Sequence, residues 1–188
     1  MEVYSYTDYK QMLDAVLLEY LAKTATVRLN TGTPTTVFTF DEFKTSAERL
    51  GKQLTDAGLQ RADRIAVIDA HYVFPTLAAI SLTYLGYTAV MLDAALPIDE
   101  ISRLVEQADV SAVFTVPDVY QKLELASVPC FELCEQENTY SPFPDSTTRC
   151  MKTARIPTDE SVIAIIFSSG TTGSMKGVEI TYTSKHLS

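Results

Sequence analysis

The sequence predicts an α/β fold with a mostly parallel sheet and helices on both faces. Short aliphatic and β-branched runs alternate with segments whose apolar residues repeat at helical spacing. Such alternation is typical of parallel strands joined by crossover helices. A second observation is the apolar run at 162–167, V-I-A-I-I-F, which predicts a strand buried on both faces.

The N-terminal elements are a helix, a hairpin and a second helix. Helical spacing of tyrosine, methionine and leucine residues predicts the first helix over 9–21. Two β-branched runs, 25–30 and 35–39, flank a T-G-T-P turn and predict a hairpin. Thr39 and Glu42 have the spacing of a capping box, so a helix is expected to begin there.

The remaining chain continues the alternation. It is predicted to contain a strand at 64–69, a helix at 75–85, a strand at 88–93, a helix opened by Pro97, strands at 111–116 and 129–133 with a helix near 118–125 between them, and a last strand at 178–183. Residues 135–160 are rich in serine, threonine, proline and charge, which predicts a long, flexible surface connection.

The loop after 162–167 has the composition of a phosphate cradle. It runs S-S-G-T-T-G-S-M-K-G from Ser168 to Gly177. Its glycines let the backbone approach a ligand, and successive N–H groups form an anion-binding nest. Hydroxyl donors and one lysine suit phosphate oxygens. Because ligands of such sheets bind at the carboxyl ends of the strands, this loop is the predicted polyphosphate site.

Spacing excludes two common nucleotide loops. The Walker pattern requires a second glycine five residues after the first, followed by lysine and then by serine or threonine. In this chain Met175 stands five residues after Gly170, and Gly177 follows Lys176. The dinucleotide fingerprint requires a further glycine that is missing between Gly170 and Gly173.

The loop instead resembles that of the adenylate-forming superfamily, roughly S-S-G-T-T-G-x-P-K-G. Nine of ten positions match, and Met175 replaces the usual proline. Segments 38–69 and 77–101, with Gly86, Asp93 and Pro97, are similar to the two preceding core blocks of that family. On this resemblance, the chain is identified as the N-terminal subdomain of the family's large domain.

The resemblance implies an AMP-forming ligase that uses ATP, Mg²⁺ and coenzyme A. A carboxylic acid, expected to be a fatty acid, is converted to an acyl-adenylate and passed to coenzyme A. The phosphate-binding residues implied are Ser168, Ser169, Gly170, Thr171, Thr172, Gly173 and Lys176. Thr171 or Thr172 would face Mg²⁺, and no catalytic residue is expected within the chain.

By the same resemblance, residues 1–188 are an incomplete N-terminal domain. The family's adenine pocket, acyl pocket and late catalytic lysine lie downstream of the phosphate loop, so the C-terminal part is expected to be absent. We therefore expect the chain alone to be inactive. An open sheet edge or an apolar patch left by truncation would favour homo-oligomers.

Composition limits the partners. The formal net charge of −9 argues against nucleic acid and against an anionic membrane surface. The uncharged stretch 72–92 is divided by Pro75 and Gly86, which predicts a helix and a strand rather than a membrane span. Three cysteines cannot all be paired, so free thiols in a reducing compartment are expected, and the polar, acidic start of the sequence does not have the pattern of a signal peptide; both favour the cytoplasm.

Two further hypotheses stay open at this point. One is an amino-acid adenylation domain of the peptide synthetase type, whose acceptor is a carrier-protein phosphopantetheine. The other is a non-catalytic binding module that keeps the fold. Sequence beyond the phosphate loop would separate the three.

Overall fold

The structure is a computed structural model that describes residues 9–20, 24–30, 33–69, 74–123, 128–134, 139–142, 162–169 and 175–181. Its helices are α1 (Tyr9–Tyr20), α2 (Phe40–Asp56), α3 (Phe74–Leu85), α4 (Ile98–Gln107) and α5 (Pro117–Tyr120). Its strands are β1 (Thr24–Asn30), β2 (Thr33–Thr39), β3 (Arg64–Asp69), β4 (Thr88–Asp93), β5 (Ala112–Thr115), β6 (Cys130–Cys134), β7 (Thr139–Pro142), β8 (Val162–Ser169) and β9 (Met175–Thr181).

The main sheet has seven strands in the order β7-β6-β5-β3-β4-β8-β9. Its five inner strands run parallel to their neighbours, and the two outer strands, β7 and β9, are antiparallel to theirs. Strands β1 and β2 form a separate antiparallel hairpin, as predicted. The predicted fold class, a mostly parallel sheet, is therefore confirmed.

Helices cover both faces of the sheet. Alternate residues of β3 divide between two cores: Ile65 and Val67 pack with α2 and α3, whereas Ala66 and Ile68 pack with α4. On the α2–α3 side the ring of Phe114 stacks on a phenylalanine of β6, with 5.1 Å between centroids. This division between faces follows from the two-residue period of a strand.

Helix α2 begins at the capping box that the sequence predicts. The backbone N–H of Glu42 donates to the Thr39 hydroxyl at 3.2 Å, and the Thr39 N–H donates to the Glu42 carboxylate at 2.8 Å. The buried side chains of α2 fall at helical spacing on one face, namely Phe43, Ala47, Leu50 and Leu54. Local sequence therefore decides both where this helix begins and which side it buries.

Helix α1 is attached to α3 by polar contacts. The Tyr84 hydroxyl donates to Asp14 Oδ1 at 2.8 Å, and the Lys10 ammonium bridges Asp14 Oδ2 at 2.5 Å. Lys10 Nζ also lies 3.5 Å from the Tyr84 oxygen. A small apolar cluster around Leu17 and Phe43 completes this junction. No helix within the described ranges is long and apolar enough to cross a membrane.

Three predictions need correction. The connection expected at 135–160 contains the strand β7, which pairs antiparallel with β6. Helix α5 ends at Tyr120, short of the predicted 125. Strand β8 is not buried on both faces, because Ile165 is 4% exposed while its neighbour Ile166 is 45% exposed. An apolar run makes both faces of a strand apolar, but burial also requires something to pack on each.

Candidate phosphate-binding site

Strand β8 carries the predicted phosphate loop to the carboxyl edge of the parallel strands. It pairs in parallel with β4, and the Thr88 hydroxyl donates to the Val162 carbonyl at 2.9 Å, which fixes the start of β8. From there the strand runs to Ser168 and Ser169. The first two residues of the motif thus end a strand whose position is set by the sheet.

Strand β9 begins earlier than the sequence predicts. It starts at Met175 rather than at 178, because the antiparallel pairing with β8 continues to Ser169 opposite Met175. Lys176 is therefore a strand residue directly opposite Ser168. Opposite residues of an antiparallel pair share a face, with their Cβ atoms about 4.5–5.5 Å apart.

Ser168 and Lys176 consequently carry their side chains on one face of the β8–β9 pair, at the base of the loop. Both residues are exposed. Within the ranges that the structure describes, no acidic side chain forms an ion pair with Lys176. A hydroxyl donor beside a lysine with no local acid is chemically suited to an anionic oxygen.

Glu179, the nearest acid along the chain, is directed elsewhere. It lies opposite Ile165, on the other face of β9 from Lys176. Its carboxylate lies 3.3 Å from a guanidinium nitrogen of Arg64, whose other terminal nitrogen donates to the Ala108 carbonyl at 3.1 Å. This arrangement ties β9 to β3 and to the end of α4, and it keeps a negative charge away from Lys176.

Gly177, the last residue of the motif, packs closely against side chains of β8. It lies opposite Phe167. A Cβ at Gly177 would stand 3.2 Å from Phe167 Cε1 and 3.3 Å from Ile165 Cγ2, tighter than ordinary contact. The small residue therefore allows β9 to approach the aromatic ring of β8.

Met175, the departure from the family pattern, also has a packing role. Its side chain is partly buried and packs with Phe167 against the α4-side core. The methionine thus anchors the first residue of β9 to the apolar interior. Methionine is well suited to an irregular gap of this kind because its side chain is unbranched and flexible.

Neighbouring strands end at the same edge in polar residues. Asp93 accepts a hydrogen bond from the Ala95 N–H at 2.8 Å and so caps the turn after β4. The buried Thr115 hydroxyl donates to the Ile68 carbonyl at 2.9 Å. Because the Asp93 and Thr115 side chains are already hydrogen-bonded within the protein, the exposed pair of Ser168 and Lys176 is the described polar feature of this edge that is best placed for a ligand.

The structure brings together Ser168, Ser169 and Lys176 from the predicted site. Gly170, Thr171, Thr172 and Gly173 lie outside the described residues, as does the expected threonine contact to Mg²⁺. Among the described residues, no group of three His, Cys, Asp or Glu side chains is arranged to hold a metal ion. The donors that the described part of the site contributes, the Ser168 hydroxyl and the Lys176 ammonium, suit phosphate oxygens.

Comparison with known proteins gives relatives for nearly the whole chain. The model of a family described as AMP-binding enzyme matches residues 14–186. A 2-succinylbenzoate–CoA ligase of Bacillus cereus is 28% identical over 144 residues, which are 77% of this chain and 28% of that protein. The glycine betaine reductase ATRR of Emericella nidulans is 29% identical over 149 residues, 76% of this chain and 11% of that protein.

Solved structures share the fold at lower identity. The nonribosomal peptide synthetase FmoA3 with bound α-methyl-L-serine-AMP gives a TM-score of 0.68 at 21% identity, covering 96% of this chain and 19% of that one. The O-succinylbenzoate coenzyme A synthetase MenE of Bacillus subtilis in complex with AMP gives a TM-score of 0.65 at 19% identity. The match covers 90% of this chain and 42% of that one.

These neighbours are adenylate-forming enzymes, and this chain has the fold of their N-terminal subdomain. The chain spans about 28% of the length of the coenzyme A ligases that it matches. The family model, in contrast, covers almost all of the chain and includes the loop and both strands that flank it. The chain therefore belongs to the AMP-binding enzyme family, whose members form adenylates.

Proposed function

We propose that this chain supplies the phosphate-binding part of an AMP-forming acid–thiol ligase. In that reaction a substrate carboxylate attacks the α-phosphate of ATP, and the bond to the β-phosphate breaks to release pyrophosphate. A thiol then attacks the acyl carbon of the adenylate and releases AMP. The observation that carries the proposal is the cross-strand pair of Ser168 and Lys176 at the base of a glycine-hydroxyl loop.

In this proposal the chain's residues position and neutralise the leaving pyrophosphate. Lys176 places its positive charge against the β- and γ-phosphates, and the Ser168 hydroxyl donates to an adjacent oxygen. The backbone of the loop from Ser169 to Gly173 would complete the cradle. Fixed donors of this kind stabilise charge that develops as the phosphate bond breaks.

Mg²⁺ and coenzyme A belong to the same proposal. Mg²⁺ would neutralise the charge of the triphosphate when bound, with the hydroxyl of Thr171 or Thr172 toward it. Coenzyme A is the acceptor we favour, because the curated relative from Bacillus cereus is a coenzyme A ligase. Its substrate, 2-succinylbenzoate, joins fatty acids in the panel of carboxylic acids to be tested for the whole enzyme. The cytoplasm is the compartment that we propose.

Triphosphate binding by the chain tests the phosphate role directly. We expect Mg·ATP and inorganic tripolyphosphate to compete for one site in calorimetric titrations, with AMP binding far more weakly. Lys176→Ala should weaken binding about 10- to 100-fold, because a charge-assisted hydrogen bond is lost. Lys176→Arg should retain most of the affinity, and Lys122→Ala, which removes a different exposed lysine, serves as the control. Equal affinities for the Lys176→Ala and Lys122→Ala proteins would contradict the proposed site.

The isolated chain is expected to have no ligase activity. It spans 28% of its curated coenzyme A ligase relative, so most of that relative's length has no counterpart in it. Pyrophosphate release with ATP, Mg²⁺, coenzyme A and the acid panel measures this. Turnover above background that disappears in Lys176→Ala would overturn the expected inactivity.

An amino-acid adenylation domain is the second candidate. It is favoured by the fold similarity to the peptide synthetase FmoA3, which covers 96% of this chain. Its acceptor would be the phosphopantetheine of a carrier protein instead of free coenzyme A. Exchange of labelled pyrophosphate into ATP by the full-length protein distinguishes the candidates. Exchange that depends on an amino acid would support an adenylation domain, and exchange that depends on another carboxylic acid would support a coenzyme A ligase. A full-length protein without exchange on either panel would point to a non-catalytic module.

A further inference from the structure

Strand β9 has one side chain that is not exposed, and it is Met175. The other six of its seven residues are exposed. Among the described residues of this strand, Met175 alone packs against a core cluster. On the same face, Gly177 has no side chain and Glu179 pairs with Arg64. Apart from its hydrogen bonds to β8, the strand is therefore attached to the interior by one thioether and one solvent-accessible ion pair.

Met175 also lies next to the proposed phosphate site. It stands opposite Ser169 in the last described pair of the β8–β9 ladder, and the adjoining pair is Lys176 with Ser168. The end of a ladder opens more easily than its middle, because local opening costs least where few contacts are lost. Packing of Met175 on the core therefore holds the end of the ladder closed and keeps Lys176 opposite Ser168.

The methionine replaces a covalent restraint with a packing contact. Met175 stands where the family pattern has proline. A proline ring fixes φ without any help from neighbouring residues, and it contains no sulfur. In this chain the same position depends on the burial of a thioether, which an oxidant can modify. The start of β9 is therefore sensitive to a reaction that a proline could not undergo.

The chemistry requires only a hydroperoxide. Met175 is partly exposed, so a small oxidant has access to its side chain. The sulfur lone pair attacks one peroxide oxygen, the O–O bond breaks, and the proton of the attacked oxygen passes to the departing hydroxide to give water. The sulfur is oxidised by a pair of electrons and the peroxide is reduced. The methionine sulfoxide that forms is polar and disrupts apolar packing.

We propose that Met175 is a site of reversible oxidative modification that controls the start of β9. Its sulfoxide leaves the α4-side core, the end of the β8–β9 ladder opens, and Lys176 loses its position opposite Ser168. Enzymatic reduction of the sulfoxide restores the packed state. The effect on β9 rests on packing alone, whereas a consequent loss of triphosphate affinity rests on the proposed function.

Peroxide treatment of the chain, followed by mass spectrometry and amide hydrogen exchange, tests the proposal. We expect a sulfoxide at Met175 and exchange at least about fivefold faster for the β9 amides that bond to β8. Methionine sulfoxide reductases should return the exchange to its starting rate. Met175→Leu keeps an apolar side chain without sulfur, so its β9 exchange should be the same before and after peroxide. Met12→Leu removes a methionine of α1 instead and should respond as the parent does.

A polar substitution separates the loss of this contact from other effects of the oxidant. Met175→Gln imitates the polar sulfoxide, so it should accelerate β9 exchange and weaken tripolyphosphate binding about three- to tenfold without peroxide. Val178→Gln is the matched control. Val178 lies in the same strand but is 53% exposed, so a similar gain in polarity removes little packing.

Several results would overturn the proposal. They are a Met175 that stays reduced while Met12 is oxidised, β9 exchange that is unchanged when Met175 is fully oxidised, equal responses of the parent and Met175→Leu to peroxide, and equal effects of the two glutamine variants on β9 exchange. A parent chain that binds no tripolyphosphate would contradict the proposed function, and the exchange data would still decide whether Met175 holds β9.

Discussion

Replacing Tyr84 with phenylalanine should loosen α1 from the rest of the protein. The Tyr84 side chain is buried, and its hydroxyl donates to Asp14 Oδ1 at 2.8 Å. Lys10 Nζ lies 4.7 Å from the centroid of the same ring. Phenylalanine keeps the ring and its apolar contacts but removes the hydroxyl, so the substitution removes the hydrogen bond to Asp14 and the longer one, at 3.5 Å, that the hydroxyl accepts from Lys10.

The expected loss is about 1–2 kcal/mol of unfolding free energy. A hydrogen bond to a charged group contributes about 1.5–3 kcal/mol, and solvent access to the carboxylate reduces that value. The Asp14 side chain is 37% exposed, so the lower part of the range applies. For a chain of this length each kcal/mol corresponds to about 2–4 °C in Tm, hence a shift of about 2–8 °C is expected.

The loss should depend on pH in a defined direction. Burial raises the pKa of Asp14, but hydrogen bonds from Lys10 and Tyr84 outweigh it, so the pKa lies below its ordinary value of 3.8. A carboxylate with a lowered pKa stabilises the fold above its unfolded pKa, and this contribution disappears as pH falls through the folded value. The difference between parent and variant should therefore be full at neutral pH and should shrink on acidification.

At alkaline pH the difference in stability between parent and variant depends on the titration of Tyr84 itself. Burial, followed by the hydrogen bond to Asp14, raises the pKa of Tyr84 above 10.0. A group with a raised pKa stabilises the fold below its unfolded pKa, and this contribution disappears as pH rises through the folded value. Because phenylalanine does not titrate, the variant should lack that alkaline loss.

Urea unfolding followed by circular dichroism from acid to alkaline pH measures the effect. Lys52→Ala is the control, because it breaks an exposed ion pair with Asp56 and should cost less than about 0.5 kcal/mol. A double-mutant cycle with Asp14→Ala, which leaves no side-chain acceptor at this position, should give a coupling energy that accounts for most of the Tyr84→Phe effect. The reasoning is refuted if Tyr84→Phe costs no more than the control, or if its cost stays constant through the acid range.

Three other predictions concern stability and thiol chemistry. Gly86 has φ +87°, so Gly86→Ala should cost about 1–2 kcal/mol in thermal unfolding, and an unchanged Tm would contradict the backbone argument. Thr39→Ala removes the capping box and should cost about 1 kcal/mol, whereas Thr39→Ser should restore most of it. Burial raises the pKa of Cys130 to about 12, so in a chain retaining that cysteine alone a disulfide reagent at pH 8 should label it only as fast as the protein unfolds.

Local sequence signals were sufficient where the interaction itself is local. The capping box of α2 joins residues three apart, so the T-x-x-E spacing predicts it before any fold is known. Strands β3 and β4 have the predicted bounds, because each is a compact, mainly apolar run. The motif of the proposed phosphate loop was equally visible in the sequence, since its hydroxyls, glycines and lysine are contiguous.

Strand β7 shows the limit of such signals. Thr139–Pro142 has no apolar alternation, and it becomes a strand by pairing with β6. The same applies to the start of β9, where pairing with Ser168 and Ser169 extends the strand to Met175 and Lys176. A strand that depends on a partner for its hydrogen bonds leaves little trace in its own sequence.

The fold class, the order of the inner elements and the family of the chain could all be predicted from the amino-acid sequence. The folded chain was needed to show that Lys176 lies opposite Ser168, that Glu179 pairs with Arg64, and that Ile166 is exposed. The two groups of features differ in the sequence separation over which the interactions act. Propensity, capping and motif spacing act within a few residues, whereas register, charge pairing across the sheet and burial depend on segments far apart in the chain.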